Sequence, residues 1–348
     1  MAMTESARFT GLIDLASERL GGRALSCSDD FFAAMQNMLR AEKPAFDPNA
    51  YTDRGKEMDG WESRRKREPG YDHCIIRLGC AGRVIGFDID TSYFLGNHPP
   101  YASVEGVMAP KGSDVESLQR MAWRELLVQS PLGPGSQNLF ISGDTEPVSH
   151  LRLNIFPDGG VARFRAFGHA LPDWPRAAID VEALAAVPAG VAAVDWIDLA
   201  AITSGGITIA CSDAFYGPTN NLLLPGPAEN MGGGWETRRK RSPGHDWVIF
   251  RLGARGTPRM LELDTHFNKG NSPARASLEV LDSPPQRITD LIASTAWRPA
   301  MPEVVIRPHA RNSFCEQLDV GGPVTYLRLN VIPDGGMSRV RVWGTRDA

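Results

Sequence analysis

The chain has 348 residues, which is more than one ordinary hydrophobic core requires and suits two domains of roughly 150–170 residues each. Its 37 Lys and Arg against 41 Asp and Glu give a formal net charge of −4, so the composition excludes a general attraction to nucleic acid and other polyanions. Five cysteines, an odd number without a CxxC pair, argue against a disulfide framework and for a reducing compartment.

The chain begins without the features of a secreted or membrane protein. Residues 1–22 lack a basic segment followed by a long apolar run, so they are not typical of a signal peptide. No uninterrupted apolar stretch approaches the ~20 residues that cross a bilayer. The sequence therefore predicts a cytoplasmic protein with no membrane partner.

Five sequence blocks occur twice, in the same order. They are CSDDFF (27–32) with CSDAFY (211–216), GWESRRKR (60–67) with GWETRRKR (234–241), DTSYFLGN (90–97) with DTHFNKGN (264–271), SVEG (103–106) with SLEV (277–280), and RLNIFPDGG (152–160) with RLNVIPDGG (328–336). This order predicts a tandem duplication of a whole domain. We assign residues 1–172 to the first repeat, 173–192 to a linker rich in proline and alanine with a short helix near Ile179–Ala186, and 193–348 to the second repeat.

Each repeat has the pattern of short strands. In chain order, CIIRLG (74–79) is a short apolar run closed by glycine, RVIGFDID (83–90) ends on aspartate, and VARFRAF (161–167) alternates arginine with apolar residues. The second repeat shows the same patterns. With 35 Gly, 26 Pro and few amphipathic helical stretches, the chain is predicted to be all-β and to form antiparallel β-sandwiches such as jelly rolls.

The duplicated RRKR stretch places four cations behind a tryptophan and a glutamate, and several interpretations compete. Trp61 and Trp235 are typical of core residues, and Glu62 and Glu236 are typical of an ion-pair network with the adjacent arginines. A nucleic-acid clamp needs a continuous basic face with interleaved aromatics, which this acidic chain does not offer. One glutamate cannot neutralise four cations, and guanidinium groups bind carboxylates bidentately. We therefore predict a small-carboxylate site at four arginines: Arg64, Arg65, Arg238 and Arg239.

The DT-containing loop of the second repeat is richer in polar side chains than that of the first. His266 and Asn268 stand where the first repeat has serine and phenylalanine. Such residues either form simple turns or aim polar groups at a cleft. Asp264, His266 and Glu279 also offer the oxygen and imidazole ligands that suit Mn²⁺, although their spacing is not a metal motif. No nucleophile elbow, HExxH, P-loop or dinucleotide fingerprint occurs, and nothing implies an organic cofactor.

Taken together, these blocks resemble the allantoicase family. The likeness rests on GWESRRKR and GWETRRKR, their extensions PGYDHCIIRLG and PGHDWVIFRLG, the block GFDIDTSYFLGNHPPYASVEG and the two RLN–PDGG blocks, and it runs from DLASERLGG to the final strand. It implies two jelly rolls related to galactose-binding-like sandwiches. It also implies a homo-oligomer that hydrolyses allantoate to ureidoglycolate and urea in purine degradation. Some members depend on a divalent metal such as Mn²⁺, but no metal ligand is assigned here.

The chemistry of allantoate suggests roles for the candidate residues. A cation must anchor the carboxylate, an acid must protonate the departing urea nitrogen, and a base must activate water or the remaining ureido nitrogen. The catalytic candidates are His266, Asp264, Glu236 and Glu279. Amide side chains suit the ureido groups, which present both donors and acceptors. These are Asn268, Asn271 and Asn97. We expect catalysis in the second repeat, because it carries His266, Asn268 and His245.

Two other functions stay open. A non-catalytic jelly roll would bind a small ligand, typically a sugar, through exposed aromatic side chains. A hydrolase of the same pathway would process ureidoglycolate at a similar site. The clustered cations favour an anionic substrate over a sugar.

Overall fold

The computed structural model describes residues 9–347, and the chain divides into two compact units between Leu171 and Pro172. Residues 1–8, at the start of the first predicted repeat, and residue 348, at the end of the second, lie outside the described residues. None of the helices between residues 9 and 347 has the length and apolar character that crossing a membrane requires.

The first unit is built almost entirely of strands. They are β1 (Ile13–Asp14), β2 (Arg23–Cys27), β3 (Tyr51–Thr52), β4 (Gly55–Lys56), β5 (Trp61–Glu62), β6 (Asp72–Asp90), β7 (Tyr101–Val107), β8 (Arg124–Pro131), β9 (Leu139–Ile141), β10 (Val148–Phe156), β11 (Gly160–Val161) and β12 (Arg163–Ala170). One short helix, α1 (Val115–Gln119), and 3₁₀ turns at Phe9–Gly11, Glu18–Leu20 and Met35–Leu39 complete it. The strands pair in the order β1-β12-β6-β10-β7-β8, with β2 and β9 also on β6.

The long strand β6 passes through two layers. Its first half, residues 72–77, pairs with β2 and β10, whereas its second half, residues 82–90, pairs with β12 and β9. The side chains between the layers form the core, for example Phe87, Leu153 and Phe164, which are fully buried. A single strand shared between two layers gives the sandwich of a jelly roll.

The second unit repeats this arrangement. Its strands are β13 (Ile197–Asp198), β14 (Ile207–Cys211), β15 (Trp235–Glu236), β16 (Asp246–Asp264), β17 (Arg275–Leu281), β18 (Arg298–Val305), β19 (Arg311–Phe314), β20 (Val324–Ile332), β21 (Gly336–Met337) and β22 (Arg339–Arg346). Its helices are α2 (Val181–Ala185) and α3 (Ile288–Ala293), with 3₁₀ turns at Trp174–Ala177, Ile202–Ser204, Thr219–Leu223 and Met231–Gly233. The pairing order is β13-β22-β16-β20-β17-β18, with β14 and β19 on β16. The predicted all-β pair of tandem jelly rolls is confirmed.

The segment predicted as a linker folds onto the second unit. Helix α2 lies within it, as predicted, and the Asp180 carboxylate caps this helix by accepting from the backbone N–H of Ala183 at 2.7 Å. Ala183 packs with Trp196 and Trp343 in a buried cluster. This part of the chain is therefore covered by apolar contacts with the second sandwich.

The buried carboxyl group of Asp88 in the first unit lacks the kind of cationic partner that its counterpart in the second unit, Glu262, has. Asp88 on β6 is 3% exposed, and its Oδ1 has no hydrogen-bond partner among the described residues. Its other oxygen accepts from Gln137 at 2.8 Å. Burial, with a smaller effect of the neighbouring Asp90, raises the pKa of Asp88 to about 7. In the second unit Glu262 is instead bound by Arg311 through two hydrogen bonds of 2.9 and 2.8 Å.

Asp88→Asn should stabilise the protein more at pH 8 than at pH 5. The folded-state pKa lies above the unfolded value of 3.8, so the folded state is favoured at low pH and loses this contribution as the pH rises toward about 7. We expect the melting temperature to rise by about 3 °C or more at pH 8 and by less at pH 5, where only part of the contribution is lost, in calorimetry. Burial also raises the pKa of Glu262, but Glu262→Gln leaves the guanidinium of Arg311 without this carboxylate partner and should therefore lower the melting temperature at pH 8. An equal shift for Asp88→Asn at both pH values would contradict this interpretation.

Candidate active site

The loops that carry the repeated motifs meet at one end of each sandwich. The indole N–H of the buried Trp61 donates to the carbonyl of Asp29 at 2.8 Å, which joins the GWES and CSDD loops. The N–H of Gly160 donates to the carbonyl of Asn97 at 2.8 Å, which joins the PDGG loop to the DTSYFLGN loop. Equivalent bonds of 2.9 and 2.7 Å recur in the second unit. The tryptophans therefore belong to the core, as their position behind the glycine turns indicates.

The third cation of each RRKR stretch has a structural role. The ammonium group of Lys66 lies 2.7 Å from Oδ1 of Asp72, which is 1% exposed at the start of β6. The backbone N–H of Lys66 also donates to the carboxylate of Asp158 in the PDGG loop at 2.8 Å. Lys240 makes the same two contacts in the second unit, each at 2.7 Å. These bonds hold the RRKR loop against the end of the long strand.

The arginines of the RRKR stretches lie at the surface. The four predicted to hold a substrate carboxylate all have exposed side chains: Arg64, Arg65, Arg238 and Arg239. Arg64 pairs with Asp29 at 2.6 Å while its side chain is 64% exposed. Arg238 approaches Asp213 at 4.0 Å and is 69% exposed. None of the four lines the cavity of the first unit, so that cavity takes its cation from elsewhere.

A cavity of about 590 Å³ opens at this loop end of the first unit. It is lined by Phe32, Phe46, Lys56, Met58, Glu62, Ser92, Tyr93, Leu95, Gly96, Asn97 and Gly135. Its walls are mostly aromatic and aliphatic, and its charged groups are one ammonium and one carboxyl. A largely apolar cleft of this size with a few convergent polar groups is typical of a small-molecule site.

The carboxyl group of this cavity belongs to Glu62, a residue that is only 8% exposed. Strand β5 places it beside Asn97, whose amide Nδ2 donates to Oε1 at 2.7 Å. Burial raises the pKa of Glu62, and the hydrogen bond from Asn97 opposes this shift to a smaller extent. A carboxyl group with a raised pKa keeps its proton more readily than an exposed glutamate does, which suits it to act as a general acid.

The ammonium group of this cavity belongs to Lys56 on β4. Its Nζ lies over the rings of Phe46, 5.1 Å from the centroid, and Tyr51, at 5.6 Å. Aromatic faces attract a cation through their quadrupole and so hold it in place without neutralising it. Lys56 can therefore bind an anionic group of a ligand.

One wall of the cavity comes from an insertion that the second repeat lacks. Gly60 follows Cys27 by 33 positions, whereas Gly234 follows Cys211 by 23. The extra residues contribute Lys56 and two apolar lining residues. No role was predicted for this segment, because it lies outside the repeated blocks. The difference in spacing between the blocks was the signal that could have revealed it.

In the second unit, four of the predicted residues come together. Nδ1 of His266 lies 2.7 Å from Oδ1 of the buried Asp264, and its ring lies 5.2 Å from that of His309. Asn268 is 2% exposed and donates to the carbonyl of His266 at 3.3 Å. Asn271 donates to the side-chain oxygen of Asn268 at 3.1 Å. Asn271 thus bonds to another amide, whereas Asn97 of the first unit bonds to a glutamate.

The two remaining catalytic candidates do not share these contacts. Glu236 lies half-buried on β15, where its backbone pairs with Tyr216. Glu279 lies on β17, and Arg328 of β20 binds both of its carboxylate oxygens at 2.6 Å. Although burial opposes it, this pairing holds the pKa of Glu279 below its ordinary value. Glu279 is thus an ionised partner of Arg328, on a strand that does not pair with β16.

These residues do not fit a preformed site for a divalent metal. Between residues 9 and 347, no three His, Cys, Asp or Glu side chains are grouped so that they could hold a metal ion. Asp264 and His266 supply two neighbouring ligands, but Arg328 occupies both oxygens of Glu279. Structural and catalytic metal sites generally use at least three protein ligands. We therefore derive no catalytic step through a metal.

The fold and the cavity define a class: duplicated jelly-roll proteins with a small-molecule site at the loop end of a sandwich. A family model described as "Allantoicase repeat" matches residues 13–171 and 197–347. A "Probable allantoicase" of Photobacterium profundum is 42% identical over 345 residues, covering 98% of this chain and 99% of the relative. One of Pseudomonas aeruginosa is 42% identical over 341 residues, covering 98% of each chain. The crystal structure of allantoicase from Saccharomyces cerevisiae is 31% identical, with a TM-score of 0.80 and 99% coverage of both chains. The chain belongs to the allantoicase family.

Glu62→Gln should raise the melting temperature at pH 8, because it removes a buried carboxyl group whose ionisation is unfavourable. The folded-state pKa is raised above the ordinary value of 4.5, so the stability that this group contributes at low pH is lost as the pH rises through the folded-state pKa. We expect an increase of about 1–3 °C at pH 8 and a smaller one at pH 5, measured by calorimetry. Glu236→Gln, the matched change on the less buried glutamate, should shift it by less. A lower melting temperature for Glu62→Gln at pH 8 would show that its carboxylate is stabilised.

Proposed function

We propose that the chain is an allantoicase that hydrolyses allantoate to ureidoglycolate and urea, and that the cavity of the first unit is its active site. The observation that carries the second part is the pairing, in one cavity, of a buried carboxyl group of raised pKa with an ammonium group. Membership of the allantoicase family supports the first part.

The chemical groups of the cavity match those of allantoate. This substrate is a carboxylate whose α-carbon carries two ureido groups. The ammonium of Lys56 binds the carboxylate, and the amide of Asn97 and the hydroxyl of Ser92 bind ureido groups, which present both donors and acceptors. The aromatic walls exclude water and thereby strengthen these polar contacts.

Glu62 supplies the proton transfers. Its protonated carboxyl group gives a proton to the departing urea nitrogen while the lone pair of the other ureido nitrogen forms a carbon–nitrogen double bond. The bond to the leaving nitrogen breaks and urea departs. The resulting carboxylate of Glu62 then takes a proton from water as its oxygen attacks the iminium carbon. This restores the carboxyl group and yields ureidoglycolate.

The residues predicted from the sequence in the second unit remain alternative candidates. Asp264 and His266 form a hydrogen-bonded pair that can also transfer protons, and the RRKR arginines can bind an anion at the surface. We favour the first unit because its carboxyl group, cation and amide line one cavity.

The activity test measures urea and glyoxylate after incubation with allantoate, ureidoglycolate and allantoin. We expect one urea per allantoate. Glu62→Gln should lower kcat by about 10²-fold or more, the usual size of a lost general acid–base. Lys56→Met should raise KM by about 10-fold, because a single charge contact is lost. His266→Asn and Arg238→Ala test the second unit.

Different outcomes of this assay separate the competing proposals. Normal turnover by Glu62→Gln with inactive His266→Asn would move the active site to the second unit. Glyoxylate and urea from ureidoglycolate, with no action on allantoate, would favour the other hydrolase of the pathway. Binding without turnover of any of the three would favour a ligand-binding protein.

We further propose a cytoplasmic homo-oligomer with no nucleic-acid partner. The family resemblance implies the assembly. All five cysteines are unpaired, which supports a reducing compartment. Light scattering after gel filtration should give a multiple of the chain mass of 37.9 kDa. A monomeric mass across the micromolar range would contradict the assembly.

A further inference from the structure

A single buried guanidinium group fixes both ends of the inserted wall. We define the wall segment as residues 43–58, which contain strands β3 and β4. Arg163 on β12 is 1% exposed. Its Nε donates to the carbonyl of Glu42 at 2.8 Å, and its Nη2 donates to the carboxylate of Asp59 at 2.6 Å. Glu42 precedes the wall segment and Asp59 follows it, so one side chain ties the two ends together.

The carboxylate of Asp59 also interacts with two residues other than Arg163. It accepts from the backbone N–H of Ala45 at 3.0 Å and pairs with Arg40 at 3.2 Å. Burial raises the pKa of Asp59, but the hydrogen bonds from Arg163 and Ala45 outweigh it and hold the pKa below its ordinary value. The group is therefore ionised at neutral pH, and its bonds to Arg163 are charge-assisted.

Beyond these ends, the wall segment is held by apolar contacts with the cavity loops. Met58 packs with Phe94 in a buried cluster, and Phe46 stacks on Tyr93 with ring centroids 5.5 Å apart. Phe46 in turn lies under the ammonium group of Lys56. The position of Lys56 therefore depends on the placement of the whole wall segment.

The second unit shares the arginine, but a glycine stands at the position equivalent to Asp59. Arg339 occupies the equivalent position at the start of β22 and is 5% exposed. It donates to the carbonyls of Gly226 and Gly233 at 3.0 and 2.7 Å. Gly233 stands in the place of Asp59, and no insertion is present. The aspartate is thus present only in the repeat that has the wall segment, whereas the arginine is present in both sandwiches.

We propose that Asp59 and Arg163 are positioning residues for the cavity, a role that rests on the proposed function. They do not line the cavity. They act by holding the wall segment so that Lys56 meets the substrate carboxylate. Because they act through a binding group and not through the proton-transfer group, their loss should raise KM more than it lowers kcat.

The test uses the full chain with Asp59→Asn, steady-state kinetics on allantoate and hydrogen exchange followed by mass spectrometry. We expect KM to rise about 10-fold and kcat to fall by less than about 3-fold, the pattern of lost ground-state binding. Amide exchange should become faster in residues 43–58 and stay unchanged in β16. Combining Asp59→Asn with Lys56→Met should raise KM less than the product of the separate effects, since both act on the same contact.

Arg163→Lys gives a second variant, with Arg339→Lys as its matched control. Lysine keeps the charge but loses the planar fork that reaches both ends of the wall segment. Both changes replace a buried arginine at the start of an equivalent strand and should lower the melting temperature by similar amounts. Arg163→Lys should also raise KM, whereas Arg339→Lys should leave it unchanged.

Several outcomes would overturn the proposal. Unchanged KM in Asp59→Asn and Arg163→Lys, after correction for folded protein, would make the pair merely structural. Independent effects of Asp59→Asn and Lys56→Met would show that Asp59 does not act through Lys56. If the wild-type chain does not hydrolyse allantoate, the proposed function is wrong, and this result alone does not test the role of Asp59 and Arg163. Hydrogen exchange in residues 43–58 then decides whether the pair holds the wall.

Discussion

The loop end of each sandwich depends on one ion pair. This pair joins the third cation of each RRKR stretch to the aspartate that begins the long strand. The carboxylate of Asp72 is 1% exposed, and a charge buried so deeply is unfavourable without a partner. Lys66 supplies the partner, and its own backbone N–H extends the connection to the PDGG loop. The segment that these bonds fix directly follows Glu62 along the chain. The same bonds in the second unit explain why a basic stretch recurs in an acidic chain.

The two units share this scaffold but differ in what their loops enclose. The first has ten additional residues between its CSDD and GWE blocks, and these build one wall of a cavity with a carboxyl group and an ammonium group. Phe94 supports that wall, and the second unit has the polar Asn268 in its place. Duplication thus preserved the scaffold, while a short insertion and a few loop substitutions gave each copy its own surface chemistry.

Much of the fold could be predicted from the sequence, because the repeated blocks and the strand patterns are local signals. The contact between Asp264 and His266 is also local, since proximity in sequence places both side chains in one loop. Which cation has which partner could not be predicted. Charge counting treats Arg64 and Lys66 alike, yet only the lysine reaches a buried carboxylate. The pairing of Glu279 with Arg328 could not be predicted for the same reason, because it depends on the register of β17 and β20. Lys56 was missed because its surroundings exist only after the insertion folds against Phe94 and Tyr93.

The central claim is that the substrate binds between Lys56 and Glu62 in the first unit. A crystal structure of the Glu62→Gln variant with allantoate tests it most directly. We expect the ligand in the cavity of the first unit, with its carboxylate within hydrogen-bond distance of Lys56 Nζ and a ureido nitrogen beside residue 62. Allantoate bound beside His266, or at the surface arginines of either RRKR stretch, with the cavity empty, would contradict it.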